Sequence, residues 1–337
     1  MAKHPPYHLR TNKAVDRLLL VKQITKVIQA KVGLKNRATY HSLGGPFMED
    51  LHLVHREIPD MPLICIETNA QTYSRQANHV FTTKLALVHD NISNFLVSTY
   101  EPKSADIFWL DFTDFSLSRL LDFQLLLRKV MPGSLVRMTV AANNPVNQSF
   151  LPSSIETSII EEIKKDSIAK FESAFSKFLP TDYSASKLTL SPKLFNKLVQ
   201  DIIRLAISET LDKTSDREFL HIQSCSYADG APMLSVTGVV CKRIEFEKTA
   251  KKITKALLPV DEKWSTIESI NLPFLSIHER HILNKILPHT GTAADVGDSL
   301  YETLNYHIED GAPKTIAALS QYALYRHEYP SFVRLDI

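Results

Sequence analysis

The sequence is poor in cysteine, which bears on both the redox compartment and metal binding. It has 337 residues and three cysteines, Cys65, Cys225 and Cys241, which lie far apart and form no C-x-x-C pair. This spacing argues against a zinc knuckle and against a disulfide framework. The thirteen histidines form no H-E-x-x-H pattern, so no metal site is predicted. We expect a reducing cytoplasm and cysteines that pack in the core.

Long apolar runs and an excess of charge of one sign are also missing. No run approaches the roughly 18 residues of a membrane span, and the first ten residues contain no apolar leader region. The chain has 39 Lys and Arg residues and 37 Asp and Glu residues. Its overall charge therefore does not favour binding to nucleic acid or to an anionic membrane. We therefore expect a soluble, unexported, cytoplasmic protein that does not bind membranes and that buries one large core, or one core and a smaller appended unit.

Positive charge is nevertheless concentrated in the first 48 residues, which carry nine Lys or Arg and a single acid, Asp16. Most of it falls on a predicted helix from about Asn12 to Val32, which has one apolar face at helical spacing. Lys22 and Lys26 lie opposite that face. We interpret the helix as docked on the core with a solvated outer face. A basic surface for nucleic acid or an acidic partner is the alternative and is not favoured.

Helix and strand periods alternate between residues 38 and 142. Helices of about ten residues separate five apolar strands, which implies right-handed crossovers and a parallel sheet. The apolar runs of the strands are nearly continuous, in agreement with burial on both faces. The predicted strands cover about residues 38–43, 62–67, 83–89, 106–112 and 134–142.

Beyond these strands the sequence predicts a change to antiparallel pairing. A polar stretch, 143–186, is interpreted as an insertion with one helix, and a long amphipathic helix follows from Pro192 to Leu211. Two β-rich runs then meet at Asp229-Gly230, a dipeptide typical of tight hairpin turns. We predict an α/β fold with a doubly wound, mostly parallel, seven-stranded sheet and a terminal antiparallel hairpin. The strand near 232–241 should lie beside that of 134–142.

The segment from Ala38 to Glu67 has the order from which open α/β sheets build a nucleotide pocket. It consists of a strand, the glycine turn Gly44-Gly45-Pro46, an amphipathic helix and a strand that stops on a carboxylate. Glycines let the backbone approach a ligand, and an acid about 20 residues later accepts hydrogen bonds from ribose hydroxyls. Gly44 and Glu67 are 23 residues apart, so the spacing fits.

The chain order as a whole resembles that of the class I (Rossmann-like) S-adenosylmethionine-dependent methyltransferases. Five short motifs occur in the order of that superfamily, and GGPFMED with IFWLDFTDF resembles a group of bacterial O-methyltransferases. The resemblance implies S-adenosylmethionine as the cofactor. Its binding positions would be Leu43, Gly44, Gly45, Pro46 and Phe47 in the glycine-rich motif, Glu67 and Thr68 at the ribose, Asp90 and Asn91 at the adenine amino group, and Asp111 beside the transferable methyl group.

Asp111 and Asp114, which follow the fourth strand, are the predicted catalytic residues. For an oxygen nucleophile, the protein has to align the partners and remove a proton. The sequence here lacks the Pro-Pro-aromatic run with which amino-group methylases grip a nitrogen, so we expect an oxygen acceptor or none. In the glycine-rich motif, Ser42 stands in place of the usual acid and Pro46 in place of a second glycine. A hydroxyl cannot supply the missing charge, which leaves the cofactor affinity open.

The same residues have structural interpretations that the sequence leaves open. In these interpretations, Gly44 and Gly45 only turn the chain and cap the helix, and Glu67 is a surface carboxylate. Asp111, or the better placed Asp114, caps the helix that begins near Ser116.

The last hundred residues have a different character and are predicted to form a small helical unit. A basic amphipathic helix covers 242–258, and three more helices follow, ending in a segment that interleaves aromatic rings with Arg326. That composition suits a protein partner bound through 242–337, but packing of the rings against the neighbouring helix is the favoured interpretation. The predicted domains are a basic N-terminal helix (1–35), a methyltransferase-like domain (36–241, with the insertion 143–186) and the helical unit (242–337).

Two functions remain open at this point. The first is an S-adenosylmethionine-dependent methyltransferase that acts on an unknown oxygen acceptor. The second is a catalytically inert methyltransferase-like scaffold, or a nucleotide-binding subunit, in a bacterial multi-protein assembly such as a defence system. The carboxylates at three strand ends favour the enzyme, because an inert sheet has no need of them there.

Overall fold

Eight strands form a single mixed sheet in the order β3-β2-β1-β4-β5-β7-β6-β8. The computed structural model describes residues 10–145, 157–185, 192–212, 216–287 and 293–330. The strands are β1 (Tyr40–Ser42), β2 (Leu63–Glu67), β3 (Leu85–His89), β4 (Ile107–Asp111), β5 (Leu135–Ala141), β6 (Arg217–Ala228), β7 (Pro232–Lys242) and β8 (Glu268–Ile270). The first five strands pair in parallel, whereas β7 runs antiparallel to β5. The predicted α/β class, the terminal hairpin and the place of its second strand are therefore confirmed.

The sheet has one strand more than predicted. The extra strand is β8, at the far edge beside β6. Its three residues are too few to show an alternating pattern, so no sequence pattern indicated this strand.

The helices agree in place with the predicted ones. They are α1 (Thr11–Ala30), α2 (Glu49–Glu57), α3 (Ala70–Ala77), α4 (Ile92–Asn94), α5 (Leu117–Lys129), α6 (Thr157–Phe175), α7 (Pro192–Asp212), α8 (Phe246–Lys255), α9 (Ile277–Asn284), α10 (Ala293–Leu304) and α11 (Ala312–Tyr325). A π-helical turn, Phe95–Thr99, continues α4, and a 3₁₀ turn, Arg243–Glu245, precedes α8. Within the described ranges, no helix is long and apolar enough to cross a membrane.

The main core lies between the sheet and the pair formed by α5 and α7. Side chains of the central strands, such as Phe108 and Met138, are fully buried there against Phe123 of α5 and Ile203 of α7. The three cysteines are buried thiols, as the packing interpretation predicts.

The described residues group into two compact units. The larger comprises residues 21–226 and 231–268, and the smaller comprises the remainder. In the smaller unit the backbone N–H groups of Asn12 and Lys13 donate to the carboxylate of Asp229 at 3.2 and 2.8 Å, which caps the first turn of α1. Lys13 and Arg17 are buried, so these two charges contribute nothing to the basic surface considered for this helix. The predicted divisions at residues 35 and 241 stay predictions.

Candidate active site

Four parallel strands end at one edge of the sheet, and the residues that follow them form the candidate site. Ser42 of β1 pairs in register with Cys65 of β2 and Trp109 of β4. Glu67, at the end of β2, pairs with His89 of β3. This register brings all the predicted cofactor residues to the same edge: Leu43 to Phe47, Glu67 with Thr68, Asp90 with Asn91, and Asp111.

The turn between β1 and α2 needs glycine at two positions for different reasons. A Cβ atom at Gly44 would lie 2.7 Å from Leu51 Cδ1 and 2.8 Å from Cys65 Sγ, so the missing side chain lets α2 and β2 pack closely. Gly45 has φ +55°, in the left-handed region that favours glycine. No atom lies within 4 Å of a Cβ position at Gly45, so the turn leaves open space there.

Helix α3 holds the glycine turn from the side. Gln76, which is fully buried, donates from Nε2 to the carbonyl oxygen of Gly45 at 2.7 Å. The guanidinium of Arg75 lies 4.3 Å from the ring centre of Phe47, within range of a cation–π interaction. The sequence did not reveal these contacts, because Gln76 and Gly45 are 31 positions apart and α3 shows only an ordinary polar pattern.

A carboxylate that the sequence analysis did not identify lies beside Ser42. Asp50, in the first turn of α2, is buried, and its Oδ2 accepts hydrogen bonds from Ser42 Oγ and from Tyr40 Oη, the latter at 2.8 Å. Burial and the charge of Asp50 raise the pKa of Tyr40 well above its ordinary value, so the phenol stays a donor. Acids are common in the first turn of any helix, which is why the sequence did not single out Asp50.

Glu67 is held by the loop that it precedes. Its Oε1 accepts a hydrogen bond from the backbone N–H of Asn69 at 2.7 Å, and the side chain of Asn69 caps α3 by accepting from the N–H of Thr72 at 2.9 Å. Glu67 is half-buried and Thr68 is exposed. The carboxylate therefore has a defined position at the strand end with part of its surface open.

Asp90 and Asn91, which follow β3, have different hydrogen-bonding roles. Asn91 caps α4, since its Oδ1 accepts a hydrogen bond from the N–H of Asn94 at 2.9 Å. Asp90 Oδ1 accepts from the N–H of Asn91 at 2.8 Å, and Asp90 is half-buried. Asp90 is thus the stronger candidate for a ligand contact at the end of β3.

The two predicted catalytic carboxylates differ in their surroundings. Asp111 is half-buried at the end of β4. Asp114 accepts hydrogen bonds from Ser116 Oγ at 2.7 Å and from Arg119 Nε at 3.0 Å. Burial acts to raise the pKa of Asp114, but these bonds and the charge of Arg119 outweigh it and lower the pKa. Asp114 is therefore a weak base that orders the start of α5, close to the structural interpretation.

A buried hydrogen-bonded row connects three strands next to Asp111. Trp109 Nε1 donates to Thr139 Oγ1 at 2.9 Å, and Thr139 Oγ1 lies 2.8 Å from Ser235 Oγ. Asp111 pairs in register with Thr139. The row fixes β4, β5 and β7 beneath the site, and the sequence missed it because hydroxyl residues in strands carry no distinctive pattern.

Comparisons with known proteins bear on this arrangement. Residues 5–337 match the model of a family described as "Putative O-methyltransferase". The comparison with curated proteins gave no match.

Three solved structures illustrate the similarity. The O-methyltransferase TomG from Streptomyces achromogenes is 16% identical over 68% of this chain and 79% of its own, with a TM-score of 0.36. An O-methyltransferase from Klebsiella pneumoniae is 14% identical over 70% and 83%, with a TM-score of 0.36. Trm1 from Pyrococcus horikoshii is 8% identical over 95% and 79%, with a TM-score of 0.44.

Proposed function

The chain belongs to this O-methyltransferase family, and on that premise we propose that it transfers a methyl group to an oxygen atom of an acceptor bound over β4 and β5. It is an S-adenosylmethionine-dependent methyltransferase, as the motifs predicted. One observation carries the proposal for the site: Glu67, Asp90 and Asp111 end three parallel strands around a glycine turn. Glu67 and Asp90 each accept one backbone hydrogen bond, and each keeps part of its surface exposed to a ligand.

The residues at this edge fit the chemistry of S-adenosylmethionine. Ribose hydroxyls and the adenine amino group are donors, and Glu67 and Asp90 are acceptors at neighbouring strand ends. The open space at Gly45 leaves room for a ligand to approach the backbone. We assign the ribose to Glu67, with Thr68 beside it, and the adenine amino group to Asp90.

Asp50 supplies the negative charge that the glycine-rich motif lacks. Within the described residues, the hydroxyl groups of Ser42 and Tyr40 both donate hydrogen bonds to the same oxygen of Asp50, Oδ2. A buried carboxylate at the end of β1 favours a cation nearby, because the low dielectric strengthens the attraction. We assign Asp50 to the ammonium group of the cofactor's methionine part.

Methyl transfer to oxygen requires a base and the alignment of the acceptor's hydroxyl group with the cofactor's methyl group. When bound, the cofactor supplies an electrophilic methyl group on a sulfonium, which departs as a neutral thioether. Asp111 takes the proton of the acceptor's hydroxyl group as the oxygen–carbon bond forms, so the acceptor leaves as a methyl ether or ester. Asp114 does not share this role, because the hydrogen bonds from Ser116 and Arg119 lower its pKa and make it a weak base. The buried row from Trp109 to Ser235 keeps β4 and β5 rigid under the acceptor.

The test is methyl transfer from labelled S-adenosylmethionine to a panel of phenols, catechols and carboxylic acids. Asp111→Asn keeps the shape of the side chain and removes the base, so the transfer rate should fall by about 10² or more with cofactor affinity unchanged. Asp114→Asn is the matched control and should lower the rate far less. Equal losses in both variants, or full activity in Asp111→Asn, would contradict the assignment.

The inert scaffold remains the alternative, and the same panel distinguishes it. A scaffold would bind its partner through 242–337 and would give no methyl transfer with any acceptor. Membership of a methyltransferase family and the carboxylate beside Ser42 both favour the enzyme.

A further inference from the structure

Seven exposed basic side chains gather on one surface of the larger unit, which we call the α8 basic surface. Four lie on α8 and three lie in the loop between α1 and β1. They are Lys31, Lys35, Arg37, Lys248, Lys251, Lys252 and Lys255. The two segments are in contact, since Lys252 Nζ donates a hydrogen bond to the carbonyl oxygen of Lys31 at 3.3 Å.

Helix α8 turns one face to the protein and the other to solvent. Thr249, Ala250 and Ile253 form the buried face. The four lysines recur at i, i+3, i+4 and i+7, which places them in one stripe along the exposed face. The stripe and the loop meet at the contact between Lys252 and Lys31 and together make up the basic area.

This area has an excess of charge that the chain as a whole does not share. Segments 31–37 and 246–257 hold seven basic residues and one acid, Glu247, for a net charge of +6, whereas the whole chain has +2. In the described part of the chain, none of the seven basic side chains forms an ion pair with a carboxylate, although Lys84 and, more weakly, Arg37 lower the pKa of the exposed Asp60. The charge of the other six is thus available to a partner.

The α8 basic surface lies at the opposite end of the strands from the candidate active site. The loop 31–37 leads into the start of β1. Strand β7 runs antiparallel to β5, with Val239 beside Leu135, so its end at Lys242 lies where β5 begins. A strand of seven residues such as β5 spans about 20 Å, so a molecule bound here does not occupy the catalytic edge.

We propose that the α8 basic surface binds the phosphate backbone of a nucleic acid without reading its sequence. A row of unpaired cations matches a polymer with regularly spaced negative charges, and releasing its counterions drives binding. Phe246 is the single aromatic residue in the two segments and is half-buried, so the surface offers no platform on which bases would stack. Contacts of this kind position a protein and carry no base specificity.

Two other partners fit the surface less well. A helix that lies in a membrane interface needs a whole apolar face, and the apolar face of α8 is buried in the protein. Leu257 and Ile244, which are 81% and 93% exposed, are two separate apolar side chains at opposite ends of α8 and do not form such a face. A protein partner would usually meet exposed aromatic residues at the centre of the contact, and these segments offer none.

The test is fluorescence anisotropy with a labelled DNA duplex and a labelled single-stranded RNA of mixed sequence, titrated with the full chain at several salt concentrations. Wild type should bind both, with affinity falling steeply with salt. If all seven cations contact phosphates, the slope of log K against log salt on the duplex should be about −6. Replacing the four lysines of α8 with Gln should weaken binding at least about tenfold and reduce the slope by about 3 to 4.

The matched control removes the same amount of charge elsewhere. It replaces four other exposed lysines with Gln and should bind almost as wild type does. They are Lys103, Lys165, Lys263 and Lys285. Circular dichroism checks that both variants fold, and S-adenosylhomocysteine affinity should be unchanged in both. Equal losses in the two variants, no binding by wild type at 50 mM salt, or tighter binding to phosphatidylserine vesicles than to either nucleic acid would each overturn the proposal.

Discussion

His41, in the strand that leads into the glycine turn, makes the stability of the protein depend on pH. The imidazole is buried, stacks on Phe108 with ring centres 4.1 Å apart, and meets Tyr100 edge-on at 5.4 Å. Its Nδ1 lies 3.3 Å from the carbonyl oxygen of Ile107. Burial among these rings disfavours the charged form and lowers the pKa of His41 from 6.5 to about 4.

The sign and size of the effect follow from this shift. Because the folded pKa lies below the unfolded one, the stabilisation is complete above pH 6.5 and is lost as the pH falls toward 4. At about 1.36 kcal/mol for each pKa unit, the loss at pH 4 amounts to about 3 kcal/mol. That is a large part of the roughly 5 to 15 kcal/mol that stabilise a typical domain.

The assay is urea unfolding of wild type and His41→Phe between pH 7.5 and pH 4. The aromatic surroundings accept a phenyl ring, so the variant should fold but should lack the imidazole titration. Wild type should therefore lose about 3 kcal/mol more than the variant over this range. His281→Phe, at an exposed position on α9, controls for the loss of one imidazole. Parallel pH curves for wild type and His41→Phe would refute the reasoning.

Three further predictions concern the cofactor edge. Glu67→Ala should weaken the binding of S-adenosylmethionine, measured by calorimetry, about tenfold or more, because charge-assisted hydrogen bonds to the ribose are lost. Equal affinity in the variant and wild type would show that Glu67 is only a surface carboxylate. Asp50→Asn should weaken the binding of S-adenosylhomocysteine about tenfold and leave unchanged the binding of methylthioadenosine, which has no ammonium group. Equal loss of affinity for both ligands would contradict the assignment of Asp50 to the ammonium group. Gly44→Ala puts a methyl group within 3 Å of Leu51 and Cys65 and should cost about 1 to 3 kcal/mol in urea unfolding, whereas an unchanged midpoint would show that α2 moves away freely.

The sequence alone determined the order of the strands, the hairpin and the edge at which the candidate site lies. These features follow from local patterns: apolar runs of strand length, helical spacing between them, and a glycine turn or a carboxylate where a strand stops. Glu67 and Asp111 could be placed at one edge because parallel strands with helical crossovers all end on the same side. The sequence did not predict the short strand β8, since three residues are too few to show a strand pattern.

Only the tertiary structure decided which polar groups meet. Asp50 reaches Ser42 because α2 folds back over β1, and Gln76 reaches Gly45 because α3 packs beside the turn. The α8 basic surface joins two segments that lie more than 200 positions apart, as the contact between Lys252 and Lys31 shows. Local periodicity fixes which face of an element is apolar. The partner of a polar side chain depends on how whole elements pack, and that information is spread along the chain.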